Sequence, residues 1–422
     1  MTDDQPAPPL YTPASGVRLP RMARVRQRFD TMRVTDIRGE IARGFAAYAT
    51  DTIKPGMRVA ITVGSRGIAN IAAITAAVVA ETRALGAEPF VVAAMGSHGG
   101  ASAEGQRAVL AGYGVTEETV GCPIVSSMET VTLGETETGF TVYVDRAAYD
   151  SAGIILLNRV KPHSILTGDK GSGLMKMAGI GLGKRDGADS IHRKGVTEHL
   201  LPAARLVLAR APIVLGVAIV ENSLDQTWKI ETVPVPDIPA ADVRLLAEAR
   251  ALLPTIPFDP LDVLIVERIG KNISGAGMDP NVVGMHRRAG GVPTREIRRI
   301  VALDLSEESH GNASGVGMAD IVTARLRDKI DWHATYTNAL TSDFLAGVKL
   351  PIACPTERAA IELALYPFDP EEARVVRVAD TARLENMWVS EALLPALAHY
   401  PLIEQMSDLE EMVLETSRVR WP

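Results

Sequence analysis

Apolar residues in this chain fall into short blocks, the first two of which run into glycine-bearing turns. Met57–Val63 leads into Gly64-Ser65-Arg66-Gly67, and Phe90–Met95 leads into Gly96-Ser97-His98-Gly99-Gly100. Gly153–Val160 and Ile213–Val220 are two further blocks of the same kind. Uninterrupted apolar runs of this length predict strands buried on both faces, as in parallel sheets. Between them lie stretches with helical character: Ile68–Ala87, Ala103–Gly112 with Ser102 placed to cap it, and a segment around Pro202–Ala211. Strands alternating with helices predict an α/β architecture with mostly parallel sheets.

Pro254, Pro257 and Pro260 punctuate the middle of the chain, and Asp262–Glu267 then begins a new strand. Arg299–Leu305, Pro351–Cys354 and Ala373–Val378 continue the alternation. The expected organisation is a Pro-rich tail over 1–20, an N-terminal α/β domain over 21–256 and a C-terminal α/β domain over 257–422. A ligand cleft is expected between the two domains. At roughly 100–200 residues per domain, 422 residues suit that division.

Composition narrows the function more than the fold. The net charge is −7, which argues against a nucleic-acid-binding surface, because such proteins cluster Lys and Arg to neutralise phosphates. Two cysteines, Cys122 and Cys354, are too few for a disulfide framework or an iron–sulfur cluster and suit a reducing compartment. Met1–Pro20 carries Asp3 and Asp4 and lacks the apolar core of a signal peptide. Apolar runs stay near 6–10 residues, below the span of a bilayer. A cytoplasmic protein with no membrane and no nucleic-acid partner is the expectation.

In parallel sheets ligands bind beyond the carboxyl ends of the strands, and both glycine turns of the first domain lie there. Free backbone N–H groups before a helix suit an anion, and Arg66 adds a fork for carboxylate or phosphate. Tight turns also use glycine for backbone reasons alone. The glycine patterns spell neither a dinucleotide fingerprint nor a phosphate-binding loop. Three of the eight histidines, His98, His163 and His192, sit in glycine-rich or strand-end settings. Histidine serves proton transfer near neutrality and is the commonest nitrogen ligand for zinc, nickel and copper. The same residues read equally as ordinary loop histidines, while His199, His333 and His399 carry no assigned role. Lys176, in GSGLMKMAG, is either a solvated lysine or a partly desolvated amine able to bond covalently.

AMGSHGGASAEG, then RVKPHSILTGDKGSGLMKMAGIG, then His192 in DSIHRKG together resemble the nickel-dependent lactate racemase family. The resemblance is concentrated between residues 60 and 195. SHGNASG around His310 and GAGMDPNVVGMHR around Asp279 are weaker echoes, and no role is assigned to His286 or His310. It implies a nickel pincer nucleotide, Ni(II) pyridinium-3-thioamide-5-thiocarboxylic acid mononucleotide, joined to Lys176 as a thioamide. His192 matches the histidine that ligates nickel, and His98 and His163 match the acid–base pair. Ser65, Arg66, Gly96 and Gly173 fall in the cofactor's surroundings, and Arg66 and Arg287 where the substrate carboxylate is held.

The implied activity is a racemase or epimerase of a small 2-hydroxy acid, loaded transiently by cofactor-biosynthesis enzymes. Val63 stands in place of an acidic residue of the family's first loop, and Gly99 in place of an arginine. The 284–287 stretch also departs, with Gly284 and Arg287. These departures separate the cofactor from the choice of hydroxy acid. Two other readings fit the residues alone. One is a zinc-dependent lyase or hydrolase with a three-histidine site. The other is a non-catalytic binder of a phosphorylated metabolite on the glycine turns.

Overall fold

Alternate residues of the central strands bury into two different cores, which is why their sequence reads as one apolar run. A computed structural model describes residues 16–412 and 414, apart from 66, 165, 167, 286–290 and 343. It leaves the side chains at 192, 193 and 341 undescribed. In chain order the strands are β1 (Met22–Gln27), β2 (Arg58–Val63), β3 (Glu88–Ala93), β4 (Ile124–Val125), β5 (Thr130–Glu135) and β6 (Thr141–Asp145). There follow β7 (Gly153–Arg159), β8 (Ile213–Glu221), β9 (Thr227–Val233), β10 (Leu261–Ile269) and β11 (Ile297–Leu305). The last are β12 (Ile321–Thr323), β13 (Ile352–Cys354), β14 (Val375–Asp380), β15 (Arg383–Ser390) and β16 (Ile403–Gln405).

One unit spans Asp30–Leu253. Its six-stranded sheet has the order β4-β3-β2-β7-β8-β9, parallel except at the edge strand β9. Val59, Ile61 and Val63 of β2 face a core with the helices Ile37–Tyr48 and Ile71–Ala84. Ala60 of the same strand, with Phe90 of β3 and Ile154 and Leu156 of β7, faces the opposite core. That second core takes side chains from Val196–Arg210 and Ile238–Ala251. Each fully buried Val, Ile or Leu contributes on the order of 1.5–3 kcal/mol, so burial on both faces holds the sheet between the two cores. Strands β5 and β6 form a separate antiparallel ladder.

The predicted helix Ile68–Ala87 is shorter, Ile71–Ala84, and ends before Gly86, whose φ of +81° turns the chain into β3. Ser102 does cap Ala103–Gly112, accepting from the Gly105 N–H at 3.0 Å.

The other unit combines the N-terminal segment to Phe29 with the chain from Pro254 onward. Its sheet runs β13-β12-β11-β10-β14-β15-β1-β16, parallel from β13 to β14 and antiparallel beyond. Residues 21–29 therefore differ from the grouping with 21–256 drawn from sequence. β1 pairs Val25 with Met387 of β15 and with Gln405 of β16, and buries Met22, Ala23 and Val25. A strand that joins a sheet more than 350 residues away leaves no local trace of where it belongs. Inside this unit Arg377 of β14 is 2% exposed and pairs with Glu267 of β10 at 2.7 Å and Glu357 at 3.0 Å. The guanidinium fork meets both carboxylates, which offsets the cost of burying charge. Among the described residues no helix is long and apolar enough to cross a membrane.

Candidate active site

Three neighbouring strands, β3, β2 and β7, deliver the sequence-predicted residues to one end of the first sheet. The chain order reverses between β2 and β7, since β3 and β4 lie to one side and β8 and β9 to the other. Such a switch point opens a crevice beyond the carboxyl ends of the strands. Ser65 follows β2, Gly96 and His98 follow β3, and His163 follows β7.

Ser65 and His98 come together directly, with the serine Oγ hydrogen-bonded to Nδ1 of an exposed imidazole. The loop that carries Ser65 is tied down at both ends. Tyr113 donates its hydroxyl to the Ser65 carbonyl at 2.8 Å, and the Ala69 N–H donates to Glu221 Oε1 at 2.6 Å. Glu221, at the end of β8, also pairs with Arg159 at the end of β7. The His98 turn needs glycine at 96, where φ is +60°. His163 is half-buried on a loop closed by a mutual backbone pair, Lys161 N–H to Ser172 O at 3.0 Å and Ser172 N–H to Lys161 O at 2.9 Å.

Lys176 is half-buried at the end of the short helical turn Leu174–Lys176, which continues as a π-helical turn over Met177–Gly181. π-Turns recur at functional sites because they displace one residue from the regular helical register. Two bonds join this segment to the strand ends. Asn158 of β7 donates Nδ2–H to Gly173 O at 2.7 Å, and the Gly96 N–H donates to Gly181 O at 3.1 Å. A helix over Lys184–Lys194 follows and carries the backbone of His192.

Asp242, from the helix Ile238–Ala251, caps the Lys176 turn by accepting from Leu174 N–H at 2.9 Å and Met175 N–H at 2.8 Å. A Cβ at position 173 would lie 2.5 Å from both carboxylate oxygens, so glycine is required there. Burial pushes the Asp242 carboxyl up to about 6, against the pull of the two N–H bonds. The folded protein then keeps a proton that the unfolded chain loses near pH 4, so this group's contribution to stability falls as pH rises from about 4 to 6. Asp242→Asn should remove that slope. In denaturant titrations the wild type's stability relative to the variant should drop by something on the order of 3 kcal/mol across the window. Parallel stability curves would contradict the assignment.

Four groups escaped the sequence reading altogether. Lys184, Asp145 and Gln106 are each buried and interconnected beneath the His98 turn. Their separation along the chain, 78 residues between Gln106 and Lys184, hides the grouping from any local pattern. Asp242 was hidden in the same way. Of the predicted residues, Ser65, Gly96, His98, His163, Gly173 and Lys176 are placed at or next to the strand-end loops. Arg66 and Arg287 lie outside the described residues, as does the side chain of His192. Cys122 and Cys354 are buried, and burial pushes both thiols up to about 11. Neither is a thiolate near neutral pH.

A family model described as the lactate racemase N-terminal domain matches residues 45–200, the stretch that holds all of these predicted residues except Arg287. No curated protein matches the chain. Among solved structures, the lactate racemase apoprotein from Thermoanaerobacterium thermosaccharolyticum is similar at 11% sequence identity with a TM-score of 0.51. The match covers 85% of this chain and 99% of that one, and the likeness is one of fold.

Proposed function

We propose that this chain, whose residues 45–200 match the lactate racemase N-terminal domain model, is a racemase or epimerase of a 2-hydroxy acid that works with a nickel pincer nucleotide. The observation that carries the reading is the join between two loops. The Gly96 N–H bond to Gly181 O, at 3.1 Å, ties the turn bearing His98 to the segment bearing Lys176. The segment bearing the Lys176 amine is thereby joined to the turn bearing the His98 imidazole, which the Ser65 hydroxyl holds. That donor set fits the group. Lys176 would hold it as a thioamide and His192 would ligate its nickel, with Ser65, Gly96 and Gly173 beside it. Imidazole is a good nickel donor beside soft sulfur ligands.

Inverting a 2-hydroxy acid by removing the Cα proton is difficult, because the carboxylate next to it raises the cost of a carbanion. When bound, the cofactor supplies an electrophilic ring carbon that can take up that hydrogen as hydride and return it. The chain's own residues supply the proton transfers at the hydroxyl oxygen. One of His98 and His163 accepts the O–H proton as the carbon–oxygen bond becomes a carbonyl, and the other delivers a proton as the alcohol re-forms. Two enantiomers present the hydroxyl differently, which is the use of two bases. Arg66 would fix the carboxylate and with it the face presented. Loading would need separate cofactor-synthesis enzymes, in keeping with a cytoplasmic location.

The test is stereoinversion of 2-hydroxy acids deuterated at Cα, in ordinary water, by protein produced alongside cofactor-synthesis enzymes. Inversion with the deuterium retained is expected. Inversion with the label lost to solvent would overturn hydride return in favour of proton abstraction. No inversion of any 2-hydroxy acid would overturn the substrate class.

A further inference from the structure

Lys184 is fully buried, and its ammonium group has an ion-pair partner and two hydrogen-bond acceptors. Its Nζ lies 3.0 Å from Asp145 Oδ2, donates to Gln106 Oε1 at 3.1 Å, and donates to the carbonyl of Ala93 at the end of β3. An ammonium only donates, so Gln106 must turn its oxygen towards Lys184. The amide's Nε2–H is thereby aimed the other way, at Gly96 O (2.8 Å) and His98 O (3.3 Å). Gln106 is itself fully buried in the helix Ala103–Gly112. Asp145 is anchored independently, for its Oδ1 accepts from Ala148 N–H at 2.9 Å and its N–H donates to Leu182 O at 2.7 Å. Lys184 has a φ of +51°, a left-handed conformation that a lysine keeps only when its surroundings enforce it. It also stands at the junction between the π-turn after Lys176 and the helix carrying His192. Burial lowers its affinity for the proton and the Asp145 carboxylate restores part of it.

We propose that Lys184 is a positioning residue: acting through Gln106, it holds the backbone of the Gly96–His98 turn against the segment carrying Lys176, and so fixes the His98 imidazole on Ser65. The importance of His98 rests on the racemase reading, but the positioning itself does not. Lys184, Asp145 and Gln106 are all buried, so their effect is on geometry.

Two changes test it. Gln106→Met keeps the Lys184–Asp145 pair and cuts only the link to the turn. Lys184→Met with Asp145→Asn removes the pair without leaving a lone buried carboxylate. In cofactor-free protein with labelled histidine, NMR should show the His98 ring in one tautomer in the wild type. In both variants the ring nitrogens should move to averaged values, and amide exchange at Gly96 should quicken by about tenfold or more. In loaded protein kcat should fall about 10–100-fold with KM within about twofold. Should the double variant fail to fold, Gln106→Met alone decides. A folded Gln106→Met protein with wild-type His98 ring signals and Gly96 exchange would overturn the proposal. Averaged His98 signals in a protein that never takes up nickel would uphold the positioning role and count against the racemase reading.

Discussion

Lys176→Ala is expected to give a folded protein that holds no nickel and turns over no 2-hydroxy acid. The fold should survive because the core does not rest on this side chain. Leu174 and Met175 are the buried residues of the turn, and Asp242 caps it through their backbone N–H groups. Alanine is also the best helix former. Lys176→Arg keeps the positive charge but not a primary amine, and it should lose cofactor just as completely. That pair of variants separates covalent attachment from electrostatic attraction. Metal analysis, thermal unfolding and turnover on the same preparations check the prediction. Nickel retained at wild-type level in Lys176→Ala would remove Lys176 from the site.

His98→Gln and His163→Gln should each keep nickel and cofactor yet lower kcat by about 10²–10⁴-fold, the usual worth of a general acid–base group. Their combination should not multiply. Inversion needs both proton transfers, so once one is lost the second substitution removes little more. His98→Gln also breaks the bond to Ser65, and the loss there includes whatever that bond contributes to holding the ring. The measurement is steady-state turnover of both enantiomers beside nickel content. A single variant that keeps more than about a tenth of the activity would contradict the acid–base role of that histidine.

The parts of this molecule legible in sequence are those whose cause is local. Met57–Val63, Gly153–Val160 and Ile213–Val220 read as strands because burial on both sheet faces makes most of their residues apolar. The Ser102 cap is written within three residues of the Gly105 N–H it serves. Ser65, Gly96, His98 and His163 could be singled out because their turns follow directly from such strands, and Lys176 because of the glycine-rich segment that carries it. The remainder depends on partners far along the chain. β1 carries Arg24 and Arg26 among its apolar residues, and its destination beside β15 is fixed only by pairing with Met387 and its neighbours. The exposed-looking segment Thr130–Glu135 becomes a strand through β6. Lys184 and Asp242 gain their roles from contacts with Gln106 and Leu174, 78 and 68 residues away. A lysine beside glycine and an aspartate in a helix carry no mark of such contacts.

Lys176 is proposed to carry the nickel-bearing mononucleotide on which the racemase chemistry depends. The most direct measurement is the intact mass of the wild-type protein produced with cofactor-synthesis enzymes, with peptide mapping and nickel analysis of the same sample. A covalent increment of mononucleotide size on Lys176, with about one nickel per chain as a single-histidine site requires, is the predicted result. An unmodified chain without nickel, from cells in which cofactor synthesis is shown to work, would contradict it.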